Sequence, residues 1–540
     1  MIKHLYLRCA IALLSFSSSS SLNAQEIQWW YDTYDSSFGQ SAADDIDGDG
    51  NLEIVFGCYR NDSSIYALNA DLGTLLWKYN AHAPGAEGCN DVAALIFDVD
   101  NDELPDVIVP SSCNPITYCF NGADGSIKWQ CNTRGSDSPP TIADIDNDGE
   151  MEILHGEFGG YVLCIDALSG NPEWEIAVDL NSWIQTAPTI LDLNNDDQLD
   201  FVVASWNFSD QDSVYAFKGD DQSKLWSYPV HDVMYHGTAV ADFDEDGNPE
   251  LLIGSYNDTL YCINGEDGST AWKYKGLGGY IGAPASIADI DNDGFCDVVF
   301  VNGYMVTALS GDGTLKWNYS IPGFAGAFRG CALSDINNDE YPDVIFGTSN
   351  GVVIALNGNN GTIIWTKDLA AHYGNDAFDI NHAPLVADFN NDGAMDVFII
   401  GGYSTYPDFQ NNFGRAYMLT AGLGNGPDWL MFQHDVRRQS SLCFNETSVV
   451  DEVNLDEIDM SIYPNPSNGV SRLTFSNPEN EIFSISIFNS SGLLIDLTSN
   501  VRGNSYELSL QSRVSGLYFV QLKSDSGKCH NKKLIIQHFD

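Results

Sequence analysis

The chain has 540 residues, 44% of them hydrophobic, and carries 76 Asp and Glu against 23 Lys and Arg, a formal charge of −53. A chain this acidic is repelled by phosphate backbones and anionic lipid headgroups, which argues against nucleic acid as a partner. Its 49 glycines and 12% aromatic residues point to many short strands and tight turns around a large core.

Residues 1–24 read as a signal peptide. Lys3 and Arg8 form a basic start, residues 9–16 are apolar, and serines lead to a cleavage site near Ala24. The apolar run is too short to span a bilayer, and no other segment reads as transmembrane.

From residue 25 to residue 442 an internal period dominates. A pattern Asp-x-Asp/Asn-x-Asp-x-x-x-Asp/Glu, followed by an apolar strand, begins at Asp45, Asp98, Asp144, Asp192, Asp242, Asp289, Asp335 and Asp388. Between these copies lie strings such as YALNADLGTLLW and YCINGEDGSTAW, which end at Trp77, Trp129, Trp174, Trp226, Trp272, Trp317 and Trp365. Each string reads as strand, Gly-containing turn and strand, a hairpin signal. One unit therefore holds four strands: a before the Asp loop, b after it, and the hairpin c–d ending at Trp. Repeated eight times, this is an all-β chain built as an eight-bladed β-propeller, with seven blades as the fallback count. The Trp residues are expected between blades, because one blade cannot bury both of its faces. The segment with Trp29 and Trp30 looks like a strand d without its hairpin, and it is expected to complete the last unit, which ends at Trp429.

Residues 443–459 read as an acidic, solvated linker. Residues 460–540 show short alternating strands and a near-balanced charge, seven Lys/Arg against six Asp/Glu, and are expected to form a small β-sandwich. Of the cysteines, Cys119, Cys164 and Cys262 recur at one repeat position and read as small buried hydrophobes. Cys113 is a candidate disulfide partner of Cys119 or Cys131.

The Asp loops carry the chemistry. The first places Asp45, Asp47, Asp49 and Glu53 at positions 1, 3, 5 and 9. The others place there Asp98, Asp100, Asp102 and Asp106; Asp144, Asp146, Asp148 and Glu152; Asp192, Asn194, Asp196 and Asp200; Asp242, Asp244, Asp246 and Glu250; Asp289, Asp291, Asp293 and Asp297; Asp335, Asn337, Asp339 and Asp343; and Asp388, Asn390, Asp392 and Asp396. Alternate oxygens converge on one point when such a loop curls, and Gly at position 6 permits the bend. Hard oxygen donors in this number suit calcium, which takes 6–8 oxygens at about 2.3–2.6 Å, so up to eight Ca²⁺ ions are expected. The loops at Asp98, Asp192 and Asp335 lack the glycine, and Asn194, Asn337 and Asn390 each remove a charge, so these sites are expected to bind more weakly.

These loops resemble the calcium loops of FG-GAP (VCBS-type) repeats, as in integrin α-subunit propellers, and the hairpins resemble quinoprotein-dehydrogenase-like blades. Together the two resemblances cover roughly residues 26–440. Tyr463-Pro464-Asn465-Pro466 with Gly469, then Gly516-Leu517-Tyr518 and Lys532-Lys533, resemble the type A sorting domain of the type IX secretion system of Bacteroidetes. That resemblance implies the secretion machinery as partner, passage across the outer membrane, and a secreted or cell-surface destination.

The main functional reading is a binding or adhesion module for an extracellular glycan or protein. The alternative is a calcium-dependent polysaccharide-degrading enzyme on the same scaffold. The d–a and b–c connections should share one face, bearing His82, His231, His236, His372, His382, Trp183, Trp206, Phe208, Tyr235, Tyr280, Arg329, Tyr373, Tyr403 and Tyr406. No nucleophile–base pair stands out among them, and the chain has no adjacent cysteine pair of the kind many quinone-dependent dehydrogenases use, so the blade resemblance implies fold rather than activity.

Overall fold

Each repeat begins with a three-residue strand of mostly small or apolar residues, Ala42–Asp44 in the first, and continues with a fully buried run, Glu53–Gly57. Such segments cannot face water on either side, so they form the inner strands of a layered ring. The hairpin that follows is graded: Ser64–Asn69 is almost wholly buried, while Leu75–Asn80 alternates between exposed and buried. The computed structural model describes residues 25–443 and 460–536, apart from residues 83–88, 208–211 and 406–408 and other short stretches. The expected leader and the acidic linker lie outside the described residues.

The chain divides into two compact units, Met1–Asn445 and Glu446–Asp540. Among the described residues the first unit contains eight antiparallel sheets, each a blade with its strands in the order a-b-c-d. Blade 4 adds a two-residue strand, Trp183–Ile184, paired with the end of its strand b. Blade 8 is closed from the far end of the chain. Its strands a to c are Leu385–Ala387, Met395–Tyr403 and Phe413–Gly422, and its strand d is Ile27–Thr33, with Trp30 opposite Tyr417. The expected closure by the Trp29–Trp30 strand is what is observed.

The cores lie between blades. One cluster joins Trp29, Leu385, Phe398 and Met418 of blade 8 to Ile54, Phe56, Tyr66 and Leu68 of blade 1. While the Trp365 indole N–H has no acceptor, the tryptophan of strand d fastens six of the eight junctions. Its indole N–H donates to a carbonyl in the next blade's c–d turn: Trp29 to Ala70 at 2.8 Å, Trp77 to Gly122 at 2.6 Å, Trp129 to Ala167 at 2.9 Å. Trp226, Trp272 and Trp317 repeat the contact with Gly265, Gly311 and Gly358. The turn glycine is required here for two reasons. Gly73 has a φ of +65°, and a Cβ there would lie 2.4 Å from the Trp29 ring.

Trp429 is not an outer strand, contrary to the reading of the last unit as a hairpin ending there. It opens a segment that runs along the inner strands of the ring. Trp429 bridges to Val386 of blade 8 and Met431 to Ala42 of blade 1, and Ser441 pairs with Ile287 of blade 6. Gln439 accepts from the Val240 N–H of blade 5. Arg438, fully buried, donates to the Ala94 carbonyl of blade 2 and the Pro140 carbonyl of blade 3. The chain's own residues thus occupy the axis of the ring and contact the inner strands of most blades.

The second unit is a β-sandwich. Met460–Tyr463, Val470–Phe475 and Ser505–Ser509 form one sheet. Phe483–Phe488, Leu494–Val501, Gly516–Ser524 and Cys529–Ile536 form the other. Leu473, Ile485, Val520 and Leu534 lie in its core. Its three motif segments meet: Asn465 donates to the Lys533 carbonyl at 2.7 Å, and Tyr518 pairs with Leu534. Among the described residues no helix is long and apolar enough to cross a membrane. Cys119, Cys131, Cys164 and Cys262 are buried free thiols, and Cys113 lies outside the described residues.

Candidate functional site

The Asp loops join strands a to strands b at one rim of the ring, and they curl as their spacing predicts. The carboxylate at position 1 accepts from the N–H of position 6: Gly50 to Asp45 at 2.9 Å, Glu103 to Asp98 at 2.9 Å, Gly149 to Asp144 at 3.1 Å. The loops starting at Asp242, Asp289, Asp335 and Asp388 repeat this bond. In the loop at Asp192, position 1 accepts from Asn194 and Asp196. The carboxylate at position 9 opens strand b and accepts from the N–H of position 2, as Glu53 does from Ile46 and Asp200 from Leu193.

Wherever both are described, two positions of the loop are left-handed. Position 6 is one, at φ +91° in Gly50, and the glycine-free loops hold Glu103 and Glu340 at +73° and +72°. Position 4 is the other. It is Asn in six loops, at Asn101, Asn147, Asn195, Asn292, Asn338 and Asn391, and Asn tolerates this region better than most residues. The sequence reading missed position 4, although the recurring Asn was the signal for it.

The folding of the loop gathers the carboxylates. One oxygen from each of Asp45, Asp47 and Glu53 lies within 4.8 Å of the others, and the same holds for Asp98, Asp100 and Asp106, for Asp144, Asp146 and Glu152, for Asp242, Asp244 and Asp246, and for Asp289, Asp291 and Asp297. Position 9 is the deepest donor. Glu53, Asp200, Asp343 and Asp396 are fully buried, each with one oxygen hydrogen-bonded and the other unpartnered. Burial first, and then the neighbouring loop aspartates, pushes Glu53 up to about 8 and Glu250 up to about 7. A buried carboxylate oxygen without a donor is costly. An all-oxygen donor set with such an oxygen at its floor fits a hard divalent cation.

The loops differ in what faces them. In four blades the residue before the blade tryptophan faces the loop of its own blade. In blade 2 it is Lys128, whose Nζ lies 2.8 Å from Asp100 and 2.7 Å from Asp106. In blade 6 it is Lys316, 2.5 Å from Asp291 and 2.8 Å from Asp297. In blade 8 it is Gln28, which donates to Asp396 and accepts from Asn390. In blade 3 it is Glu173, another carboxylate, whose charge acts on Glu152 and Asp146. Two loops are bridged from the end of strand c, by Lys218 to Asp196 at 2.9 Å and by Asn357 to Asp339 at 2.8 Å. In the latter loop Asn337 also donates to Asp343.

At the opposite rim, five of the connection residues, Trp206, Tyr235, His236, Tyr280 and Arg329, come together with two that the sequence reading passed over. Trp206 packs edge-on against Tyr235 with ring centroids 4.7 Å apart, and Tyr256 links Trp206 to Tyr280. Tyr280 in turn meets Phe328. Both additions lie in the same kinds of connection, Tyr256 after a strand b and Phe328 beside Arg329. The Arg329 guanidinium lies over Tyr235 and Phe328 at 5.1 and 5.0 Å. It donates to His236, its Nε has no acceptor, and only 6% of the residue is exposed. Burial and then the Arg329 charge hold His236 well below the usual histidine range and His382 down to about 3, so both are neutral near pH 7. His372 is elsewhere, against Trp30 and Tyr417, and Tyr373 and Tyr403 stack on Phe413. Trp183 packs on Phe158, and His82 and His231 are exposed. Phe208 and Tyr406 lie outside the described residues.

Comparison with known proteins follows this division. The family model of FG-GAP-like repeats matches residues 45–109, 98–155 and 192–253. That of the outer membrane protein assembly factor BamB matches residues 246–415, and that of the secretion system C-terminal sorting domain matches residues 461–537. A curated relative, BamB of Yersinia pestis, is 25% identical over 189 residues, which is 32% of this chain and 45% of the relative, so the chain spans under half the relative's length. Two solved structures share the fold. Quinohemoprotein alcohol dehydrogenase from Comamonas testosteroni has a TM-score of 0.50 at 12% identity, covering 75% of this chain and 78% of its own. Sqt1 of Saccharomyces cerevisiae has a TM-score of 0.52 at 11% identity, covering 74% and 100%. The protein is thus a β-propeller with FG-GAP-like repeats and quinoprotein-like blades. It ends in a type IX secretion sorting domain and is sorted for export from the cell.

Proposed function

We propose that the protein is a calcium-binding propeller that works outside the cell as a binding or adhesion module for a glycan or a protein. The loops at Asp45, Asp98, Asp144, Asp192, Asp242, Asp289, Asp335 and Asp388 hold the calcium, which ties strand a to strand b in its blade. Calcium is favoured over magnesium because a donor set with several convergent carboxylates suits a larger, irregular shell, whereas magnesium demands a near-ideal octahedron and keeps its waters.

The observation that carries the binding reading is the cluster around Arg329. A mostly buried cation set over Tyr235 and Phe328, with Trp206 and Tyr280 packed on those rings, places flat aromatic faces beside a guanidinium. That combination suits a sugar ring or an aromatic or acidic side chain. It stands at the rim away from the Asp loops, on connections that vary between repeats while the ring supporting them does not.

The test is a glycan and protein array probed with the full chain in calcium and in chelator. Capture without product, lost in the Tyr280→Ala variant, supports the reading. Release of cleaved glycan would favour the polysaccharide-degrading alternative, and capture unaffected by Tyr280→Ala would remove the Arg329 rim from it. Deletion of residues 460–540 is expected to abolish surface delivery in the native host, and normal surface levels of the truncated chain would refute an export role for that unit.

A further inference from the structure

The eight loops share one backbone plan, yet the residue before the blade tryptophan gives them different charges. We propose that Lys128 and Lys316 are resident counter-ions, so that the loops of blades 2 and 6 keep their form without calcium and bind it more weakly than those of blades 1, 3 and 5. The inference rests on the calcium reading above.

The geometry is specific. Each ammonium touches positions 3 and 9 of its loop and lies within 4 Å of position 5, at 3.8 Å from Asp102 and 3.9 Å from Asp293. Both lysine side chains are mostly buried, at 18% and 15% exposure. A calcium ion would draw on the same carboxylates at about 2.3–2.6 Å, and Nζ already lies within 2.8 Å of two of them in each loop. Ion and ammonium cannot share those contacts, so binding requires the lysine to swing away or the ion to take fewer donors. One oxygen of Asp106 and one of Asp291 stay unpartnered. The lysine therefore neutralises part of each cluster without filling it, and affinity is lowered rather than abolished.

The contrast lies in the equivalent residue elsewhere. Blade 1 has Leu76 there and blade 5 has Ala271, neither of which brings charge to the loop. Blade 3 has Glu173, which adds a fifth carboxylate to the four of its loop. Without a cation these three loops gather like charges at short range, where repulsion is strongest. Blades 2 and 6, in sequence four blades apart, carry their own positive charge.

Hydrogen exchange on the full chain, blade by blade, tests this. On removal of calcium, the a–b hairpins of blades 1, 3 and 5 are expected to lose protection by about tenfold or more, while those of blades 2 and 6 keep theirs. Equal loss in all five blades overturns the proposal and leaves the calcium reading standing. No loss in any blade overturns the calcium reading, and this proposal with it. The double variant Lys128→Gln, Lys316→Gln gives the reciprocal result: in chelator its blades 2 and 6 open as blades 1, 3 and 5 do. If that variant is unprotected even in calcium, the wild-type comparison alone decides.

Discussion

The two rims of the propeller are made by different means. At the Asp-loop rim, eight nine-residue loops repeat one backbone, and position 9 is buried each time by the same strand b. At the other rim the cluster around Arg329 is assembled from the connections of blades 4 to 7. On the proposed reading, the first rim bears on whether the ring is stable, and the second on what it touches. Substitutions should separate the two properties cleanly.

The largest effect is expected from removing calcium. One site contributes about 2.7 kcal/mol when calcium is one hundred times above its Kd, and 1 kcal/mol moves the midpoint of a domain of about 200 residues by roughly 2–4 °C. With several sites on one ring, chelator should lower the melting midpoint by on the order of 10 °C, and magnesium should restore little of it. An unchanged midpoint would erase the distinction between the rims.

A single loop should show a smaller shift. Asp144→Ala should lower the midpoint in calcium by several degrees and more than Asp192→Ala does, because its loop has four carboxylates, a glycine at position 6 and Glu173 alongside. The loop at Asp192 has Asn194 and already leans on Lys218. Scanning calorimetry of the two variants, with and without calcium, decides between them.

Effects at the other rim should leave the midpoint alone. Tyr280→Ala and Phe328→Ala are expected to melt within about a degree of the parent while binding ligand roughly tenfold more weakly, as loss of an aromatic contact worth about 0.5–1.5 kcal/mol implies. Titration of whichever array ligand is captured provides the measurement.

The smallest effect concerns pH, and it is concentrated at the Asp-loop rim, although Asp212 and Asp379 in the opposite connections are also raised by burial, to about 7 and about 6. Position 9 is raised in every loop, to about 8 in Glu53, Glu152, Asp343 and Asp396 and to about 6 in Asp106, Asp200 and Asp297, with burial the leading cause. A carboxyl raised in the folded state adds stability below its unfolded pKa of roughly 4, and loses that contribution as pH rises through the folded value. The calcium-free protein should therefore melt a few degrees higher at pH 5 than at pH 8. With calcium bound, the order should reverse, because the ion requires the ionised form. Melting curves at both pH values in chelator and in calcium test the sign.

Much of this was legible because it repeats. Eight copies of the Asp pattern and the interleaved Trp hairpins gave the blades, their strand order and the closing strand with Trp29. What escaped depends on single side chains outside the pattern. Lys128 and Lys316 read as ordinary strand residues until the loop is seen curling towards them. Trp429 imitates the blade tryptophans in sequence, but the outer place in blade 8 is already taken by Ile27–Thr33, so it turns inward. Arg329, Tyr235 and Tyr280 were singled out as connection residues, yet their meeting depends on blades whose neighbours are set only by ring order.

The axial segment and the closing strand bear on how the molecule folds. Stacked repeats usually behave as a one-dimensional array that nucleates anywhere and frays from its ends. Here Ile27–Thr33 must wait for Phe413–Gly422, and Arg438 reaches back to carbonyls about 300 and 340 residues earlier. Contacts of that sequence separation slow the final step and make it all-or-none. A chain shortened by one blade at either end would lack a place for its last strand, so the smallest unit of global folding is the whole ring.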